Sequence, residues 1–153
     1  MNSLELKIPP VLLVLIFVAD MLILRWLFPR PEFGFTGQLY VSVGLVVVGI
    51  VLPALGFLQF YKHKTTVDPM HPEASSQIVQ AGVYKHTRNP MYLGFLLLLC
   101  GLGVYLGNVA SLVMLPLFVW YMNRFQILPE ERILKEKFGH AYQQYKGRVR
   151  RWI

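Results

Sequence analysis

From Leu93 to Asn123 the chain runs thirty-one residues without one Asp, Glu, Lys or Arg. A water-facing helix needs a polar face, and this stretch has none to offer. About 20 mainly apolar residues suffice for a helix to cross the hydrocarbon core of a bilayer, so lipid is the solvent the stretch suits. The rest of the chain agrees, with 55% hydrophobic and 15% charged residues where a soluble domain carries about 25% charged. The single cysteine, Cys100, allows no intramolecular disulfide. These features exclude a disordered tail, a collagen-like fibre and a disulfide-stapled module. They predict an all-α integral membrane protein of one domain, residues 1–153.

Hydropathy places four spans, at about residues 11–28, 39–61, 91–105 and 109–128. Pro9-Pro10 sits where a helix start tolerates proline, and Pro53 should kink the second span. The first apolar run is read as a span and not a signal peptide, since Met1–Lys7 has no net positive charge and no small-x-small site follows. Gly107-Asn108 should turn the last two spans into a tight antiparallel hairpin. Asp20 lies within the first span and calls for a polar cavity or a hydrogen-bonded, protonated state. Arg25, five residues on, is off its helix face.

The net charge of +7 is unevenly spread. Residues 1–60 are neutral, residues 61–92 carry +2 and residues 124–153 carry +5. Four spans put both basic segments on one side, as the positive-inside rule requires, and that side is the cytoplasm. No nucleic-acid-binding motif accompanies the basic residues. The four histidines show no metal-ligand spacing, so no metal is expected.

The polar residues form two blocks at that face. In the first, the loop 62–90, the series Tyr84-Lys85-His86-Thr87-Arg88-Asn89-Pro90-Met91-Tyr92 ends where Pro90 should start the third span. The unpaired N–H groups there, with Arg88, Tyr84 and Tyr92, would suit an anionic ligand or serve as an interfacial anchor. In the second block Pro129 should break the fourth span and Glu130-Glu131 should open a new helix. Ile133, Leu134, Phe138, Ala141, Tyr142 and Tyr145 form an amphipathic stripe interrupted by Gly139. That stripe would lie in the headgroup region or fold back as a cap, 130–153, bringing Glu130 near Arg88, Tyr84 and Tyr92.

Thr87-Arg88-Asn89-Pro90-Met91-Tyr92-Leu93-Gly94, followed by Pro129-Glu130-Glu131 and Phe138-Gly139-x-x-Tyr142-x-x-Tyr145, resembles the isoprenylcysteine carboxyl methyltransferase family, within the wider phospholipid methyltransferase-like group. The resemblance covers roughly Lys62 to Ile153. It implies methyl transfer from S-adenosylmethionine, with S-adenosylhomocysteine as product, to a lipid-like or small apolar acceptor. It also implies a cofactor pocket facing the cytosol and an acceptor entering from the bilayer. Its cofactor contacts fall on Ser76, Gln77, Ile78, Val79, Tyr84, Asn89, Pro90, Met91, Tyr92 and Glu130. Among these, Glu130 would take the ammonium group, the start of the third span would take the carboxylate, and a tyrosine would face the sulfonium or adenine.

The chain departs from the family in two places. Asn89 stands where isoprenylcysteine enzymes have His, and Gln126 stands where they have an Arg assigned to the substrate. Arg88, Arg124 and Gln126 are the candidates near the acceptor, whose reacting group is left open among carboxyl, thiol and amine. The alternative readings are a nicotinamide-dependent membrane reductase and a non-catalytic adaptor or lipid-binding protein that reads anionic headgroups.

Overall fold

Pro9 and Pro10 start the first helix, α1 (Pro10–Leu27), because proline at the first turn gives up an N–H that has no partner there. The computed structural model describes residues 4–66 and 68–153. Met1, Asn2 and Ser3 of the N-terminal segment, and Val67 of the 62–90 loop, lie outside the described residues. Helix α2 (Gln38–Lys62) continues through Pro53 as one element, and α3 (Pro90–Leu106) begins at the expected proline. Gly107 ends α3 in the left-handed region with φ 58°, and a Cβ there would meet the Phe33 carbonyl at 2.6 Å. Only glycine suits both conditions. Asn108 then caps α4 (Val109–Leu112), its side chain accepting from the Ser111 N–H at 3.0 Å. Among the described residues there is no strand, only an isolated bridge between Glu32 and Asn108.

The closest packing joins α2 to α3, an antiparallel pair, and not α3 to the helices after it. Small residues allow it: a Cβ on Gly49 would meet the Gly94 carbonyl at 2.9 Å, and one on Gly101 would meet the Ser42 carbonyl at 3.0 Å. Ser42 also donates its hydroxyl to the Gly101 carbonyl at 2.8 Å. Such close backbone approach is how helices associate where lipid removes the hydrophobic drive between them. Phe17 and Phe118 meet edge to face at 5.4 Å in the core, with Met21, Leu99, Met122 and Ile127 fully buried around them.

The chain after Gly107 departs from one straight span. It forms α4, then α5 (Met114–Tyr121), a π-helical stretch (Met122–Ile127) and α6 (Leu128–Arg148). No break occurs at Pro129, where one was expected. The wide turn leads straight into α6, and the Phe125 carbonyl, four residues before the proline, accepts instead from the Leu6 N–H at 3.0 Å. A segment distant in sequence thus satisfies the group that proline leaves unpaired. The break comes at Gly139, whose φ of 52° and ψ of −122° bend α6 inside the apolar stripe.

Helices α1 and α2 are long and apolar enough to cross a membrane. Val11, Leu15, Val47, Ile50 and many like them point outward on these two helices, an arrangement that lipid favours and water penalises. Arg25 reaches the α3 end, donating to the Leu106 carbonyl at 2.6 Å and pairing with Glu32 at 3.2 Å. Asp20 is half-buried and is not part of that pair.

Candidate active site

The start of α1, the end of α2 and the start of α3 meet at one end of the bundle, and the 62–90 loop and α6 close over it. They enclose a cavity of about 380 Å³, within the range of small-molecule sites. Of the residues expected at a cofactor site, Gln77, Ile78, Val79, Tyr84, Asn89, Met91, Tyr92 and Glu130 line it, and Arg88 joins them. Ser76 and Pro90 are not among the lining residues. Ser76 is exposed, its N–H donating to the Thr65 hydroxyl at 2.9 Å, while Pro90 is fully buried at the first turn of α3.

Glu130 is held by neutral donors. Its Oε1 accepts from the Tyr92 hydroxyl and from Gln126 Nε2 at 2.7 Å. Among the described residues no donor reaches its other oxygen. Burial pushes its pKa up to about 7, against the lowering effect of those two bonds. Gln126 is itself 3% exposed and also donates to the Pro69 carbonyl at 2.7 Å.

Glu131, the next residue, gathers Arg88 at 3.0 Å, Lys146 at 2.8 Å and Arg151 at 2.9 Å. Their hydrogen bonds and charge outweigh its burial and hold its carboxyl below the usual range. Arg88 therefore pairs with Glu131, while Glu130, expected from the sequence to come near Arg88, Tyr84 and Tyr92, lines the same cavity as all three. Two neighbours on a helix are about 100° apart, so the choice depends on which face each turns to the cavity. Arg88 is deeply buried, and its Nε and Nη1 have no hydrogen-bond partner among the described residues.

The C-terminal segment is tied to the loop before α3. Arg88 N–H donates to the Arg150 carbonyl at 3.0 Å, and Thr87 Oγ1 and Asn89 Nδ2 donate to the Arg151 carbonyl at 3.1 and 2.9 Å. The Tyr145 hydroxyl donates to the Tyr84 carbonyl at 2.8 Å. Tyr142 and Tyr145 line the cavity together with Phe60, Phe95 and Leu134, none of which was singled out as a site residue. The two tyrosines were visible as members of an apolar stripe and of the motif that carries the resemblance, without a role at the cavity. Burial raises the pKa of the Tyr84, Tyr142 and Tyr145 hydroxyls, which keeps them protonated.

The two remaining acceptor candidates lie outside the lining. Arg124 pairs with Glu5 at 3.1 Å, and Arg132 holds the same carboxylate at 2.7 Å. Gln126 lies behind Glu130.

An aromatic cavity with a buried carboxylate and a buried guanidinium, at one end of an apolar helical bundle, defines a small-molecule site in a membrane-type helical protein. The chain belongs to the phospholipid methyltransferase family, whose profile matches residues 37–141. It is 33% identical over 124 residues to a probable protein-S-isoprenylcysteine O-methyltransferase of Oryza sativa subsp. indica, a match covering 80% of this chain and 64% of that one. It is 35% identical over 124 residues to protein-S-isoprenylcysteine O-methyltransferase of Schizosaccharomyces pombe, covering 80% of this chain and 52% of the relative. An uncharacterized protein of Haemophilus influenzae is 43% identical over 63 residues, which are 41% of this chain and the whole of that one. The chain thus spans between half and two thirds of the named methyltransferases it matches. No solved structure matches at comparable significance.

Proposed function

We propose that this chain is an integral membrane methyltransferase, a single domain that transfers a methyl group from S-adenosylmethionine to a lipid-like or small apolar acceptor. The observation that carries the reading is Glu130, a half-buried acid lining a cavity of suitable size, with one oxygen pinned by neutral donors and the other without a partner among the described residues. A carboxylate so placed gains most from a cation brought in by a ligand.

The residues present fit the methyl donor. Glu130 would take its ammonium, and the two unpartnered donors of Arg88 would take its carboxylate. Tyr84, against Phe60 at 5.4 Å, and the tilted pair Tyr92 and Phe95 supply aromatic faces for a sulfonium or a purine. Gln77, Ile78 and Val79 form the loop side of the same wall. When bound, S-adenosylmethionine supplies a methyl group already attached to its leaving group, so the protein's part is alignment and exclusion of water. The apolar and aromatic lining does the second, and the pinned Glu130 contributes to the first. Arg88 is the one acceptor candidate that lines the cavity, and the acceptor's reacting group stays open among carboxyl, thiol and amine.

We assign four spans, with α3 and the α4–α5 segment as the shorter pair and α6 with the C-terminal segment as a cap. Both ends of the chain and the cavity then face the cytoplasm. Exposed Trp26, Tyr40 and Tyr105 at one end of the bundle, and Tyr61 at the other, support this as interfacial aromatics. The basic 61–92 and 124–153 segments lie at the Tyr61 end.

Calorimetric titration of the purified full chain with S-adenosylhomocysteine tests the reading. Binding is expected, with a loss of at least about tenfold in Glu130→Ala from the missing charged hydrogen bond. Folded wild-type protein that takes up no S-adenosylhomocysteine would overturn it.

A further inference from the structure

Glu130 does not hold its own position. On the same oxygen it receives the Tyr92 hydroxyl from α3 and the amide of Gln126 from one turn earlier in its own helical stretch. That amide nitrogen also donates to the Pro69 carbonyl at 2.7 Å and lies 3.3 Å from the Tyr92 hydroxyl. Pro69 and its neighbour Asp68 line the cavity from the loop side. One buried amide therefore joins three pieces of the site that are far apart in sequence. Its hydrogens are spent on the Glu130 carboxylate and on a backbone carbonyl, so it has no donor left for an acceptor molecule. The position first considered for acceptor recognition faces the methyl-donor side instead.

We propose that Gln126 is a positioning residue for ligand binding, which fixes the Glu130 carboxylate with one oxygen presented to the cavity and fastens the 68–72 loop against it. The inference rests on the reading of Glu130 as the ammonium partner. Two effects follow from the geometry. Without the amide, the carboxylate loses a donor that stabilises its charged form, so it ionises at higher pH. The loop also loses its Pro69 tether to the π-helical stretch.

The groups around Glu130 are Tyr92 of α3, Tyr84 before it, Tyr142 beyond Gly139 and Glu131 alongside, with Asp68 and Arg88 in the same cavity wall. Burial raises the tyrosines Tyr84 and Tyr142, and Glu131 lies below the usual carboxylate range, with Asp68 lowered too by its bond from His71. Glu130 is thus the acid among them that changes charge near neutrality.

The test is S-adenosylhomocysteine affinity of the full chain in detergent across pH 6 to 8.5, for wild type, Gln126→Leu and Gln126→Arg. Wild-type affinity should rise about tenfold between pH 6 and pH 8, as Glu130 ionises. Gln126→Leu should move the midpoint of that rise up by about one pH unit, weakening binding about fivefold at pH 7 and little at the top of the range. Gln126→Arg, which places a cation beside the carboxylate, should move the midpoint down. Opposite shifts from one position cannot come from a general loss of folding. If both variants weaken binding by the same factor at every pH, the inference fails while the cofactor reading stands. If wild type does not bind, the cofactor reading fails and takes this one with it.

Discussion

Glu130 and Glu131 share a helix turn, a residue type, a local sequence and the edge of one cavity, yet their partners differ completely. Glu131 is enclosed by Arg88, Lys146 and Arg151 and stays ionised. Glu130 meets, among the described residues, a phenol and an amide, and burial lifts its pKa to about 7. The first arrangement is a completed ion cluster that locks the C-terminal segment to the loop before α3. The second is an incomplete one, with a place for a positive charge that none of the described residues supplies. A structural site and a ligand site are thus told apart by whether the charge is already met within the chain.

The comparison breaks most visibly if Glu131 loses its charge. Glu131→Gln leaves the buried Arg88 guanidinium without a counter-ion, and removal of one partner from a buried pair costs about 3–5 kcal/mol. Thermal unfolding in detergent should show the loss, together with release of the C-terminal segment to proteolysis. A change below about 1 kcal/mol would mean that the cluster is not what holds the tail.

A smaller effect of opposite sign is expected at the neighbouring position. The folded carboxyl of Glu130 keeps a proton that the free side chain gives up, so the window lies between pH 4.5 and about 7. Stability of the ligand-free protein should fall as pH rises through that window, because the folded state binds the extra proton. Glu130→Gln should remove the decline and leave the variant up to about 3 kcal/mol more stable than wild type at pH 8, each unit of pKa being worth about 1.4 kcal/mol. Unfolding curves of both proteins at pH 5 and pH 8 check the sign, and parallel curves would contradict the assignment.

The smallest effect separates the partners within the cluster. Lys146 is 45% exposed where Arg88 is 8% exposed, so water screens its share of the attraction. Lys146→Ala should cost about 0.5 kcal/mol or less, in the range of surface ion pairs. A loss as large as that of Glu131→Gln would place the weight of the cluster on its outer edge.

The start of each long helix could be read from local chemistry. Apolar runs closed by Pro9-Pro10, Pro90 and Gly107 gave boundaries for α1 and α3 that agree with the observed ones to about a residue, because proline and glycine act on the backbone where they stand, and the apolar run alone did as well for α2. The same reasoning misplaced the break at Pro129. There the freed Phe125 carbonyl is satisfied by Leu6, a partner more than a hundred residues away, and no local rule contains it. The residues gathered at the cavity were mostly legible from their motifs, but their partners were not. The sequence brought Glu130 near Arg88 without showing that Glu131 takes its charge, and nothing in it showed that the Gln126 amide reaches Glu130 and the Pro69 carbonyl.

By itself the sequence determined the solvent and the class of fold. Thirty-one uncharged residues and an apolar excess leave helices as the local solution, since in lipid a helix satisfies its own backbone. It also determined which polar residues were available near the end of the bundle. Only the tertiary structure decided which of them met. Whether a carboxylate becomes a clasp or an open seat for a cation depends on the face it turns and on what arrives from distant segments. Periodicity locates that face no better than the next residue along, and for Glu130 and Glu131 the next residue is the whole difference.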